Sequence, residues 1–137
     1  MEHITSTPTA KAPAERFTGD VYLNPIETPS DPARLVAALV RFTPGARTNW
    51  HSHAKGQTLY ITDGIGLVGT RDGDVALATA GETVKCQAGE EHWHGATDTT
   101  LMAHIAMLVG DANGDGTNWL EPVTDEQYTA ALKSAGR

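Results

Sequence analysis

Short apolar or alternating runs recur along this chain between clusters of Gly, Pro, Asn and Asp: Phe17–Leu23, Leu35–Phe42, Gln57–Thr62, Ile65–Thr70, Val75–Thr79, Glu82–Cys86, His92–Ala96 and Leu101–Val109. The breaks carry turn chemistry, among them Pro44-Gly45, Asp63-Gly64, Asp72-Gly73, Ala88-Gly89 and Asn113-Gly114. Strands this short, at this spacing, bury one face each by closing into a sandwich or barrel. The predicted fold class is therefore all-β, with about eight strands. Only the C-terminus reads as helix: Thr124 can cap it, Glu126 and Gln127 sit in the first turn, and Tyr128, Ala131 and Leu132 share a face. Residues 1–15 are polar and aperiodic, which predicts a flexible arm, or an edge strand needing a partner, that stays outside the core. Residues 16–137 have no internal linker and are expected to form a single domain.

Composition narrows the partners. Ten Lys and Arg against 17 Asp and Glu leave a net charge of −7. That balance lacks the clustered cations that bind phosphate, so nucleic acid and anionic membrane are excluded as partners. No apolar run approaches the roughly 18 residues of a membrane span, and the opening residues form no hydrophobic signal region, so a cytoplasmic location is expected. The single cysteine, Cys86, permits no internal disulfide and no thiolate cluster. A metal in this chain must be held by nitrogen and oxygen. Of six histidines, five fall between positions 51 and 104.

Four residues have the spacing of metal ligands: His51 and His53 as H-x-H, then Gln57, then His92. In a strand, residues i and i+2 point to one face about 6.6 Å apart, so two imidazoles can converge on one cation. Gln57 shares their parity, as do Leu59 and Ile61, and a neighbouring strand supplies the fourth ligand. Such a nitrogen and oxygen set suits Mn, Fe, Co, Ni or Zn, one divalent ion per chain. All four donors are neutral, so the ion would keep its full charge and act as a strong Lewis acid. His94 has the parity of His92, and in Leu101–Val109 the residues Met102, His104, Ala106 and Leu108 share a face, which places His94 and His104 inward and uncoordinated. Neutral imidazoles there suit acid/base work. Arg47 and Thr48, just before the histidine pair, could point a donor inward. Trp50 and Trp93 have the opposite parity and should pack behind the site; Trp119 is expected to support the C-terminal segment.

Two further motifs are decoys. Gly64-Ile65-Gly66-Leu67-Val68-Gly69 spells a dinucleotide fingerprint, but a hairpin rather than a helix follows it. Asp111-Ala-Asn113-Gly-Asp115-Gly116 imitates a calcium loop, yet its twelfth position is Pro122 where a glutamate is required.

The flanking glycines complete a pattern: G-x5-H-x-H-x3-Q-x6-G across Gly45–Gly64, then Gly81-x7-Gly89-x2-His92. These spacings resemble the two signature motifs of the cupin superfamily, with Gln57 where the first motif usually has glutamate, and Gln87 and Ala96 where the second has proline and asparagine. The resemblance implies a single cupin barrel (a double-stranded β-helix, or jelly-roll) with a short C-terminal helix. A wider likeness covers most of Phe17–Tyr128 through the strings GARTNWHSH, GQTL, GEEHWHGA, MAHIA and WLEPVTDEQY. It is to small bacterial cupins that include manganese-dependent hydroxynitrile lyases. That likeness implies manganese at His51, His53, Gln57 and His92, with Thr48, His94 and His104 as active-site groups. It implies a lyase that cleaves or forms aromatic cyanohydrins, mandelonitrile to benzaldehyde and HCN, with Ala38, Val40, Met102 and Leu108 as apolar walls for the ring. The alternatives are sugar-acid ring opening or isomerisation, for which only Arg41 and Arg47 lie near enough in sequence to bind a carboxylate, a dioxygenase, or a non-catalytic small-molecule binder. The partner is a small-molecule substrate, and exposed strand edges predict a homodimer or homotetramer.

Overall fold

The longest strand belongs to two sheets at once. In the computed structural model, which describes residues 1–137, the strands are β1 (Ala10–Lys11), β2 (Phe17–Thr18), β3 (Val21–Glu27), β4 (Leu35–Phe42), β5 (Arg47–Thr48), β6 (His51–His53), β7 (Gln57–Thr70), β8 (Val75–Thr79), β9 (Thr83–Cys86), β10 (His92–Ala96), β11 (Met102–Val109) and β12 (Thr117–Trp119). One helix, α1 (Asp125–Ser134), follows. The first half of β7 pairs with β9 and β11, and the second half with β8 and β10, all antiparallel. From β7 one sheet continues through β11, β4 and β3 to β1, and the other through β10 to β5 and β2, with β6 also paired to β10 and β12 paired to β6. The sheet so formed is curled into a half-barrel, and its concave side holds the core.

Two expected strands therefore fuse and one divides. Gln57–Thr62 and Ile65–Thr70 are one strand because Asp63-Gly64 turns a corner instead of reversing the chain. Gly64 has φ +71° and is packed against the Leu101 carbonyl, where a Cβ could not fit. Phe17–Leu23 divides at Gly19, φ +79°, which passes the chain from one sheet to the other. The two glycine corners make the fold two-layered. All three glycines of the false dinucleotide fingerprint, Gly64, Gly66 and Gly69, lie inside β7.

Val21, Val40, Phe42, Ile61, Ala96 and Met102 fill the base of the half-barrel. Behind the second sheet, Trp50, Leu67 and Trp93 pack on Val123, Tyr128 and Leu132, which seats α1. The helix begins as expected, with a capping box in which Thr124 accepts from the Gln127 backbone and Gln127 accepts from the Thr124 N–H. The Tyr128 hydroxyl donates to the Ala96 carbonyl at 2.7 Å, tying α1 to β10. No helix is long and apolar enough to cross a membrane.

The N-terminal segment is not all peripheral. Thr7 donates to the Pro25 carbonyl, Ala10 and Lys11 pair with Leu23 and Tyr22, and Ala12 is buried in the core cluster. The edge of β3 recruits it, because an unpaired strand edge leaves backbone groups unsatisfied. Cys86 is buried, and burial, with Glu90 nearby, pushes its thiol up to about 12, so it is inert.

Gly95 of β10 lies so close to β5 that a Cβ would stand 2.5 Å from the Ala46 carbonyl oxygen. Gly95→Ala is expected to cost about 1–3 kcal/mol by overpacking, read as a lower urea midpoint. An unchanged midpoint would contradict this contact.

Candidate metal centre

Strand β6 presents His51 and His53 on one face, and β10 brings His92 directly opposite His51 in the antiparallel register. The ring centroids lie 4.3 Å apart for His51 and His92, 5.0 Å for His51 and His53, and 5.6 Å for His53 and His92. All three are buried, and each offers a nitrogen within 4.8 Å of the other two. Gln57, at the start of β7, joins them with its Oε1 3.1 Å from His92 Nε2. The four predicted ligands thus converge from three strands.

The outer nitrogens decide what faces inward. His51 Nδ1 donates to the Asn49 carbonyl at 3.0 Å and His92 Nδ1 to the Glu90 carbonyl at 2.9 Å. A neutral imidazole that donates from Nδ1 has its lone pair on Nε2. His92 Nε2 therefore meets the amide oxygen of Gln57 acceptor to acceptor, and His53 Nε2 is buried with no partner. Acceptors gathered without a donor are the environment a cation satisfies, so the residues fit a divalent ion.

Protonation state agrees. Burial, followed by repulsion from His92, lowers His51 to about 3 and His53 to about 4, and burial lowers His92. At neutral pH the lone pairs are free.

The second group is split by depth. His94 lies on the cavity wall, whereas His104 stands behind it, fully buried, with its Nε2 2.8 Å from His94 Nδ1. His94 is held well below the ordinary histidine range by burial and then by His104; burial lowers His104 to about 4. Thr48 Oγ1 accepts from the His94 backbone N–H at 3.2 Å and also lines the cavity.

The cavity beside the histidines has a volume of about 240 Å³. Ala38, Val40 and Leu108 line it. Met102 does not. It is fully buried in the core cluster with Phe42, whose ring centroid lies 6.0 Å from that of His94 and 5.3 Å from that of His104. Among the wall residues not anticipated are Arg16, Phe17, Thr117 and Trp119. Trp119 faces the site instead of the C-terminal segment, its ring 4.8 Å from that of His51, because β12 pairs with β6 and puts Trp119 opposite His51. The alternation Thr117-Asn118-Trp119 is the one sequence signal that could have disclosed it. Arg47 is buried but turned away, bonded to the Val123 carbonyl and Asp125, and Arg41 bonds Asn24 on the outer face.

Five histidines buried neutral have a thermodynamic consequence. The unfolded chain takes up protons near pH 6.5, while His51, His53 and His104 hold out until about 3 to 4. Between those limits the unfolded state binds more protons, so their contribution is full above pH 6.5 and is lost as pH falls toward 4. The urea midpoint of chelator-treated protein is expected to drop between pH 7 and 5. A flat profile would show that these imidazoles are not buried neutral.

A cupin domain model matches residues 38–109. An (R)-mandelonitrile lyase from Granulicella tundricola is 43% identical over 128 residues, covering 93% of this chain and 97% of that protein. Among solved structures, a cupin-like protein from Thermotoga maritima superposes with a TM-score of 0.80 at 31% identity, covering 95% of this chain and 97% of that one. A polyketide cyclase from Streptomyces resistomycificus shares the fold alone, with a TM-score of 0.70 at 17% identity over 93% of this chain and 90% of that one. With its glycine-cornered half-barrel and its histidines on β6 and β10, the chain belongs to the cupin family.

Proposed function

We propose that the protein is a metal-dependent lyase that cleaves or forms aromatic cyanohydrins. The 43% identity to a mandelonitrile lyase along nearly the whole of both chains carries this reading. The site supports it, because the donors open on a largely apolar cavity that also holds an uncoordinated histidine. His51, His53, Gln57 and His92 would hold the ion, manganese by the family likeness, and when bound it supplies a Lewis acid.

The remaining chemistry rests with the chain. Phe17, Val40, Leu108 and Trp119 take the aromatic ring and keep water from it. His94 Nε2 is buried without a partner and can take the hydroxyl proton of the cyanohydrin. As it does so the oxygen pair forms the carbonyl, the bond to the nitrile carbon breaks, and the pair leaves on cyanide. His94 returns the proton to cyanide, giving HCN; synthesis runs the same steps in reverse. The base form requires His94 to donate its Nδ1 proton to His104 Nε2, so His104 acts through His94 as a positioning residue. Thr48, whose hydroxyl accepts from the His94 N–H, still has its own proton to offer a substrate oxygen.

A carboxylate substrate is the second reading. Arg16 favours it, because it is the arginine that lines the cavity, stacked 5.4 Å from the Trp119 ring centroid.

Mandelonitrile turnover by manganese-loaded protein, followed as benzaldehyde release, tests the first reading. Chelation is expected to abolish it, and His94→Ala to lower kcat by about 10²–10⁴-fold. Benzaldehyde release no faster than in buffer overturns it. Arg16→Ala should lower mandelonitrile turnover far less than His94→Ala does, whereas on the second reading it removes binding of an aromatic carboxylate.

A further inference from the structure

The three histidines are not oriented alike. His51 and His92 donate from Nδ1 to backbone carbonyls, which can only accept. His53 Nδ1 instead meets the Thr117 hydroxyl at 3.0 Å, and a hydroxyl can donate or accept. We infer that Thr117 is a positioning residue that selects the tautomer of His53 and so decides whether His53 Nε2 presents a lone pair or a proton to the metal centre. The inference rests on the metal-binding reading of the site.

If the hydroxyl accepts, His53 carries its proton on Nδ1 and Nε2 is a donor for the ion. If the hydroxyl donates, the proton is on Nε2 and the third imidazole is lost as a ligand. One feature selects the first arrangement. His53 Nε2 has no hydrogen-bond partner, and a buried N–H left unpaired is rarer than a buried acceptor left so. The Thr117 backbone N–H donates to Asp115 Oδ1 at 3.0 Å, which fixes the start of β12. Register does the rest: β12 pairs with β6 so that Thr117 stands opposite His53.

This gives the false calcium loop a purpose. Asp111 and Gly114 pair across a tight turn, with Asp111 Oδ1 accepting from the Asn113 N–H, and the chain leaves it with Asp115 and Thr117 beside His53. The acidic residues shape a support for the histidine and need no cation of their own.

Imidazole ¹⁵N–¹H correlation spectra of chelator-treated protein report the tautomer. Wild type is expected to show His53 as the Nδ1–H form, and Thr117→Val to move it toward Nε2–H. Calorimetric titration with Co²⁺ should show the affinity of Thr117→Val reduced about 10–100-fold, with Thr117→Ser restoring it. Thr117→Ala serves the same purpose if the valine variant does not fold. An Nε2–H tautomer in wild type, or undiminished Co²⁺ affinity in the valine and alanine variants, overturns the inference. Wild type that takes up no Co²⁺ refutes the metal reading, and the spectra still decide whether Thr117 sets the tautomer.

Discussion

Two hydrogen bonds from side chain to backbone, His51 Nδ1 to the Asn49 carbonyl and His92 Nδ1 to the Glu90 carbonyl, govern the character of the interior. Each carbonyl lies two residues before its histidine, so the acceptor comes from the strand's own approach and costs no additional element. By holding the proton outside, they turn lone pairs inward and gather acceptors in a buried space. A protein interior tolerates such a gathering only where something else satisfies it. The rest of the half-barrel can be understood as keeping this arrangement dry and rigid.

Packing divides that labour between two layers. Trp50 and Trp93 stand behind the histidines and are themselves backed by α1, so the helix, remote from the cavity, braces β6 and β10. On the concave side Phe42 and Met102 close the base, while Phe17 and Trp119, 5.7 Å apart, form an aromatic flank. Of the two imidazoles His94 and His104, one lines the cavity and the other is bonded behind it. Depth thus assigns roles to residues of identical chemistry.

Much of this was legible in the sequence because it depends on parity and spacing. His51 and His53 share a face as strand periodicity requires, Gln57 enters from the start of β7 after a turn at 54–56, and the pairing of β6 with β10 supplies His92. Ala38, Val40 and Leu108 follow from the same alternation. Parity says which face a residue occupies but not how deep it lies, and for that reason Met102 falls beneath the site and His104 behind His94. The alternation Thr117-Asn118-Trp119 hints at a strand but not at its partner, so without the pairing of β12 with β6 Thr117 and Trp119 stayed hidden. Arg16 and Phe17 escaped notice for the same reason: they reach the wall through pairing of β2 with β5. Gly64 misled because a glycine with positive φ serves a corner as well as a hairpin.

The corner at Gly64 has a kinetic meaning. Because β7 changes sheets there, Gln57 at one end pairs with Cys86 while Thr70 at the other end pairs with His92. Residues that must meet at the centre are thus separated by long stretches of chain, and neither sheet can finish without the other. Closing such distant contacts is slow and comes late in folding. The unfolded chain, with His51 and His92 forty-one positions apart, presents no assembled set of donors, so an ion held by all four would stabilise the finished structure by mass action while doing little to initiate it.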